Sequence, residues 1–340
     1  MKILLITDAW HPQINGVVRT IEATTAELEH MGHEVSLITP EHFPSIPCPT
    51  YPEIALAWPF RQLFRKMETL SPEAIHITTE GPLGLAARHW CVTRGVPFTT
   101  SFTTRFPEYI QSRFRISPEP LYSFFRWFHA PSSATMVSTK SLEEELRQRG
   151  FSNLRPWSRG VDTDLFSPSK RVNLFPESPV FLYVGRVSVE KNLPAFLALD
   201  LPGIKVVVGG GPDLEKLRRT YPEARFLGSL EGEELAQVYA SSDVFVFPSK
   251  TDTFGMVILE ALASGLPVAA YDVTGPKDIL LPGKTGVFGE DLKKAALEAR
   301  HLSRQACRSF GEAYSWRACT EEFCHHLAPR KDTHTLRKTG

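Results

Sequence analysis

The residues best suited to chemistry lie in short loops that follow runs of β-branched residues. Gly185-Arg186-Val187-Ser188-Val189-Glu190-Lys191-Asn192 comes straight after the apolar run Phe181–Val184. Arg186 can give paired hydrogen bonds to phosphate oxygens and Lys191 a point charge, so together they suit a diphosphate. The plainer reading is two surface cations with Glu190 as local partner. Further on, Asp252 and Glu260 flank Thr253-Phe254-Gly255 and a helix start at Met256-Val257. The amides of a helix start favour an anion, and Glu260, two turns in, can accept from a pair of sugar hydroxyls. A capped helix with a solvated Glu260 is the alternative. Val208-Gly209-Gly210-Gly211-Pro212 permits close backbone approach to a base or a phosphate, or is a flexible turn. Asn15-Gly16, just before a helical pattern, can offer amides to a phosphate in the same way.

These loops need elements to position them. In the first half, strand patterns fall at Ile3–Thr7, Glu34–Ile38, Ala74–Ile77, Pro97–Ser101 and Ala134–Val137. Helical patterns lie between them near Val17–Met31, Leu83–Arg94, Pro120–His129 and Leu142–Arg149. The second half repeats the grammar. Its strands are expected at Val180–Val184, Lys205–Val208, Arg225–Leu227, Asp243–Phe247 and Val268–Ala270. Its helices are expected at Leu193–Leu199, Leu214–Thr220, Glu233–Ala240, Val257–Ala263 and Asp291–Ser303. Strands alternating with helices predict α/β architecture with parallel sheets covered on both faces. In such sheets ligands bind beyond the carboxyl ends of the strands, which is where the loops above fall.

A chain of 340 residues is long for a single core and predicts two domains. The division expected is a first domain at 1–170, a linker at 171–179 within the Ser- and Pro-rich stretch Ser167–Pro179, and a second domain at 180–312. The 38 basic and 38 acidic residues cancel, which argues against a dedicated nucleic-acid binder. Five cysteines without C-x-x-C spacing argue against a disulfide framework or a zinc site. The N-terminal run MKILLI is broken by Asp8 and reads as a strand, and no apolar stretch approaches the ~20 residues of a spanning helix. The expectation is a cytoplasmic protein, peripheral at most at the inner face of a membrane.

Taken together and in order, these loops resemble the GT-B retaining glycosyltransferases of glycosyltransferase family 4. They look most like its lipid mannosyl-, glucuronosyl- and sulfoquinovosyltransferases. The resemblance runs from Thr7 to about Leu327 and includes Glu80-Gly81-Pro82-Leu83-Gly84 and Gly160-Val161-Asp162. It implies two Rossmann-like doubly wound domains facing across a cleft, acceptor side first and nucleotide-sugar side second. A helix at 313–328 would return to the first domain, followed by a basic tail at 329–340.

The implied reaction moves a hexosyl group from a nucleotide-diphosphate sugar, GDP-mannose or a UDP-hexose or hexuronate, to the hydroxyl of a membrane lipid or glycolipid. Arg186 and Lys191 would hold the leaving diphosphate, with Asp252 as a further catalytic carboxylate. Asn15, Gly16, Gly185, Gly210, Gly211, Phe254, Gly255, Met256, Val257 and Glu260 would bind the donor, Glu260 through its ribose. Thr103, Arg105 and Glu80 are candidates on the acceptor and sugar side. The resemblance implies no cofactor beyond the donor and no metal. Asp162-Thr163-Asp164 has the D-x-D form of a metal site but is read as a loop and helix cap.

Two departures from the family pattern stand out. Asp252 replaces a glutamate one methylene longer, and Thr103 stands where a histidine is expected. They keep a catalytically impaired sugar-nucleotide-binding protein as an alternative. A GT-B epimerase is another, and a nicotinamide oxidoreductase is disfavoured because G-x-G-x-x-G is absent. His11, His76 and His129 are read as structural. Basic and aromatic residues interleave at Phe60, Arg61, Phe64, Arg65 and Lys66, at Arg113-Phe114-Arg115, and at Phe124-Phe125-Arg126-Trp127-Phe128. They suit an anionic membrane surface, or a core helix with solvated arginines.

Overall fold

The computed structural model describes residues 1–12, 16–48, 51–58, 60–103, 117–250 and 254–330. The chain forms two compact units, Met1–Ser158 with Cys319 onward, and Arg159–Ala318. The expected strands and helices are present, mostly to within one or two residues at their ends.

The strands of the first unit are β1 (Lys2–Ile6), β2 (Glu34–Ile38), β3 (Ser45–Cys48), β4 (Tyr51–Ala57), β5 (Ala74–Ile77), β6 (Thr99–Phe102), β7 (Ala134–Val137) and β8 (Leu154–Pro156). β3 and β4 form an antiparallel hairpin. The other six make a parallel sheet in the order β2-β1-β5-β6-β7-β8. β5, β6 and β7 bury every side chain, as a sheet covered on both faces requires. The order reverses between β1 and β5, so the carboxyl ends of those two strands flank the crevice where such sheets take ligands.

The second unit repeats the plan with β9 (Val180–Val184), β10 (Ile204–Val208), β11 (Arg225–Gly228), β12 (Val244–Phe247), β13 (Val268–Ala270) and β14 (Gly286–Phe288). Their order is β11-β10-β9-β12-β13-β14, all parallel, and the reversal lies between β9 and β12. β9 reads VFLYV and is buried throughout. Each large apolar side chain so buried contributes roughly 1.5–3 kcal/mol, which makes β9 the anchor of the loop that follows it.

Several expectations need correction. The division falls at Ser158/Arg159, ahead of 170, and the supposed linker belongs to the second unit. Val161 and Phe166 are buried in that unit's core, with Leu165 and Phe175 packed against it. Arg308 donates to the carbonyls of Thr163 and Phe166, at 3.1 and 2.8 Å. Val172 and Ser241 exchange two hydrogen bonds, and Lys170 pairs with Glu233 at 2.9 Å. Composition suggested a linker, but these contacts fasten the segment down.

The return to the first unit comes at Cys319, within helix Trp316–His326, later than the 313 expected. Phe323 there packs its ring on His76 and Trp157, at 4.9 and 5.0 Å between centroids. The expected tail starts at 329, yet the Arg330 amide donates to the Glu73 carbonyl at 2.7 Å; residues 331–340 lie outside the described residues. The single helix expected at Asp291–Ser303 is Leu292–Ala299 followed by Arg304–Glu312. Asp291 caps the first through the Lys294 amide, and Ser303 caps the second through that of Ala306. β3, β4, β8 and β14 were not anticipated, being short or, in β4, carrying a proline.

Candidate active site

In the second unit, the loops after β9, β10 and β12 meet at the strand-order reversal. Gly185 donates its amide to the Val208 carbonyl at 3.0 Å, and Val187 donates to that of Gly210 at 2.8 Å. The β9 and β10 loops are thus zipped together past the ends of their strands. This approach demands glycine at 209: its φ is +133°, and a Cβ would stand 1.9 Å from the Gly185 carbonyl oxygen. The triple glycine is therefore a close backbone packing as well as a possible ligand approach.

The loop carrying the cations is fixed at several points. The Tyr183 hydroxyl, on buried β9, donates to the Arg186 carbonyl at 2.9 Å. Val189–Lys191 make a 3-10 turn, and Asn192 follows in the left-handed region at φ +54°, where asparagine is better tolerated than most residues. Its side-chain amide donates to the Pro248 carbonyl at 3.1 Å, tying this loop to the end of β12. Arg186 is exposed and Lys191 half-buried. The Ser188 hydroxyl, at 2.6 Å, holds the Glu190 carboxyl below the usual carboxylate range, with the Arg186 and Lys191 cations adding to the effect. Glu190 is therefore anionic within the cationic loop and offsets part of its charge.

Beyond β12, Phe254 is buried and Gly255, at φ +83°, caps helix Met256–Ala263. Met256 and Val257 occupy its first turn, where amides have no intrahelical acceptor. Glu260 is half-buried, and one of its oxygens accepts from the Tyr239 hydroxyl at 2.8 Å. Burial, then the Glu260 carboxylate, push the Tyr239 hydroxyl's pKa well up, so Tyr239 remains a donor and orients Glu260. Tyr239 was not anticipated; its pairing with Glu260 spans the chain from one helix to another. Asp252 lies outside the described residues.

In the first unit, Glu80 lies in the turn after β5 and Thr103 directly follows β6. Glu80 pairs with His129, from helix Glu119–His129, at 3.2 Å, and the other ring nitrogen of His129 meets the Thr100 hydroxyl at 2.9 Å. His129 is thus more than a core histidine, because it holds a carboxylate at a strand end. His76 fits the structural reading: buried between the Thr99 and Ser101 hydroxyls, it has its pKa lowered to about 3 by burial and by His129. His11 pairs with Glu22 on the surface. Asp8 was passed over in the sequence. It follows β1 and accepts from the Thr79 hydroxyl and from the Leu83 and Gly84 amides. The signal that could have found it is an acid after the first strand, with Gly81 far downstream to make room for it. Gly16 opens helix Gly16–His30; Asn15 and Arg105 lie outside the described residues. Asp162 accepts from the amides of Asp164 and Leu165, at 3.1 and 2.9 Å, the loop-capping role expected of it.

The basic and aromatic stretches divide. Helix Phe60–Leu70 buries Leu63 and Met67 and exposes Arg61 and Arg65, while Lys66 lies over the Phe43 ring. Helix Glu119–His129 buries Tyr122, Phe125 and Phe128 but leaves Phe124 37% and Trp127 52% exposed. The Arg88 guanidinium stacks 3.8 Å from the Trp127 ring. Arg113–Arg115 lie outside the described residues. Among the described residues, no helix is long and apolar enough to cross a membrane.

Comparison with known proteins bears on the whole chain. Residues 14–165 match the family Glycosyltransferase Family 4, and residues 167–303 match Glycosyl transferases group 1. The GDP-mannose-dependent alpha-mannosyltransferase of Mycobacterium tuberculosis is 30% identical over 85% of this chain and 83% of its own length. Sulfoquinovosyl transferase SQD2 of Arabidopsis thaliana is 34% identical over 86% of this chain and 66% of its own length. The structure of sucrose-phosphate synthase from Thermosynechococcus elongatus superposes with a TM-score of 0.73 at 22% identity, covering 95% of this chain and 97% of that one. Two parallel Rossmann-like units and these matches place the chain in glycosyltransferase family 4, with the GT-B fold.

Proposed function

We propose that the chain transfers a hexosyl group, with retention of configuration and without a metal ion, from a nucleotide-diphosphate sugar to the hydroxyl of a membrane lipid or glycolipid. The observation that carries this reading is the tie between the Arg186–Lys191 loop and the end of β12, the strand that precedes the Gly255–Glu260 helix start, at the β9/β12 reversal. Arg186, Lys191 and the amides of Met256 and Val257 would bind the diphosphate. Gly185, Gly210 and Gly211 would let the backbone close on it, and Glu260, aimed by Tyr239, would take the ribose hydroxyls. The relatives support the donor and acceptor classes: one is named for GDP-mannose, another as a sulfoquinovosyl transferase.

Breaking the anomeric C–O bond leaves an oxocarbenium-like centre and a nucleoside diphosphate. The two cations stabilise the growing negative charge on the latter, the role a divalent ion would otherwise fill. The acceptor oxygen attacks the face that the phosphate leaves, and its proton passes to a phosphate oxygen. Transfer is expected to continue in EDTA, and NMR of the product should show the donor's anomeric configuration. Loss of activity in EDTA restored by a divalent metal would overturn metal independence, and an inverted product would overturn the route. Thr103 in place of histidine favours a second reading, a donor binder without turnover. Hydrolysis of donor in the absence of acceptor separates the two.

The acceptor class implies peripheral membrane contact on the cytoplasmic face, for which the exposed Phe124 and Trp127 beside Arg126 and Arg88 are the candidates. Phe124→Ser with Trp127→Ser should reduce co-sedimentation with vesicles containing anionic lipid several-fold. Equal sedimentation of variant and parent would remove that surface from consideration.

A further inference from the structure

We propose that Asp8 is a positioning residue for acceptor use: its carboxylate builds the turn Thr79–Gly84 and so seats Glu80 against His129. The proposal rests on the expectation above that Glu80 belongs to the acceptor and sugar side of the site.

Asp8 lies just beyond β1, at the reversal between β1 and β5. Its carboxylate accepts from the Thr79 hydroxyl at 2.8 Å, the Leu83 amide at 2.8 Å and the Gly84 amide at 3.2 Å. Its own amide donates to the Thr79 oxygen at 2.6 Å. Helix Pro82–Arg94 starts after Gly81, which has no side chain to cap it, so Asp8 does this from a different strand. The turn is moulded to the carboxylate. A Cβ on Gly81 would stand 2.5 Å from the Asp8 carboxyl carbon, and one on Gly84 1.9 Å from the Thr79 carbonyl oxygen.

Glu80 sits in the middle of this turn. Its partner His129 is 2% exposed and is backed by Thr100, Thr135 and Ser132 in a chain of hydroxyls, with spacings of 2.9 to 3.1 Å. Glu80, with 10% of its side chain exposed, is the outer end of that network. A serine or asparagine caps a helix without burying a charge. A buried carboxylate here, close to a second one, costs desolvation and repulsion. Against that cost, the three bonds that the carboxylate accepts hold Thr79, Leu83 and Gly84, on either side of Glu80.

The acid that faces Asp8 is Glu80, from the turn itself; His129, from helix Glu119–His129, pairs with Glu80, and His76, from β5, lies near His129. Burial, with Glu80 nearby, raises the Asp8 pKa to about 6. Ionised above that pH, Asp8 can take all three bonds; protonated below it, one oxygen becomes a donor and the grip on the turn weakens. Transfer should therefore fall as pH drops through about 6.

The test varies the acceptor at fixed donor for Asp8→Asn, Asp8→Ser, Glu80→Gln and the double variant Asp8→Asn with Glu80→Gln, from pH 5 to 8. Asp8→Asn and Asp8→Ser are expected to lower acceptor kcat/KM about 10- to 100-fold at pH 8, as a misplaced group does, and to lose the acid limb. Binding of GDP or UDP, whichever the parent binds, should stay within twofold in every variant and serves as the check on folding. The double variant should be no worse than Glu80→Gln alone, because residues acting through one another are non-additive. Asp8→Asn with parental kcat/KM and the same acid limb overturns the proposal alone. So does an additive double variant. Glu80→Gln with parental kcat/KM overturns instead the acceptor reading of Glu80 on which it rests.

Discussion

Lys191→Ala is expected to slow glycosyl transfer about 10²- to 10³-fold, the usual cost of removing one preorganised group from a developing negative charge. Lys191 is half-buried at the end of the Val189–Lys191 turn, and Asn192 anchors the turn to the β12 loop. The backbone that carries the charge is thus held in place before any donor arrives. If Lys191 stabilises the departing diphosphate as proposed, kcat should fall more than donor KM rises. Arg186 is exposed, and its carbonyl is held by the Tyr183 hydroxyl. Arg186→Lys keeps the charge but loses the planar fork, so it should raise donor KM more than it lowers kcat. The measurement is steady-state transfer with donor and acceptor varied, alongside the thermal midpoint. Near-parental transfer by Lys191→Ala, with a normal midpoint, would remove the diphosphate assignment.

Gly209→Ala should destabilise the second unit by about 3–5 kcal/mol, from overlap and strained backbone together. Its Cβ would meet the Gly185 carbonyl oxygen at 1.9 Å, in a backbone conformation of φ +133°. Neither neighbour can yield without breaking the hydrogen bonds from the Gly185 amide to the Val208 carbonyl and from the Val187 amide to that of Gly210. Against a usual stability of 5–15 kcal/mol, this is enough to lower the midpoint markedly and to abolish donor binding with it. Two glycines calibrate the effect. Gly228→Ala meets nothing within 4 Å but has φ +74°, and should cost only the strain, about 1 kcal/mol. Gly289→Ala meets open space and should be near neutral. If all three behaved alike in a denaturant series, the close approach of the β9 and β10 loops would not be what requires glycine.

The two variants probe different things that the sequence made legible to different degrees. The Arg186–Lys191 loop was readable because it is contiguous and follows a strand whose VFLYV pattern is strong. The triple glycine was readable as a place of close approach, but the sequence suggested a ligand as the approaching group. In the fold, the first occupant of that space is the neighbouring loop's own backbone. Glu260 was found as a candidate, and Tyr239, which orients it, was not. The two lie on separate helices, Gly232–Ala240 and Met256–Ala263, and no local pattern records a hydroxyl meeting a carboxylate across packed elements.

The first unit shows the same division more sharply. In the sequence Glu80 reads as part of a motif and His129 as a structural residue. Their contact joins residues 49 positions apart. Asp8 went unnoticed because it reads as a breaker ending an apolar run, and because its three partners lie more than 70 residues away. The linker was misplaced for a related reason. Serine- and proline-rich composition predicts weak local structure, yet Lys170 on Glu233, Val172 on Ser241 and Phe175 on the core bind that segment to the second unit through contacts that composition cannot register.

By itself, then, the sequence determined the class of fold, the number of units, and the loops in which chemistry would be found. Hydrophobic period and strand-end glycines and cations are local properties, and local properties survive in one dimension. The tertiary structure alone decided which groups face one another: Asp8 under the Glu80 turn, Glu80 on His129, Tyr239 on Glu260, and the chain's crossing at Ser158/Arg159. Those pairings depend on strand order and on burial, which set the distance between groups and the strength of a buried charge, and neither is encoded by neighbours in the chain.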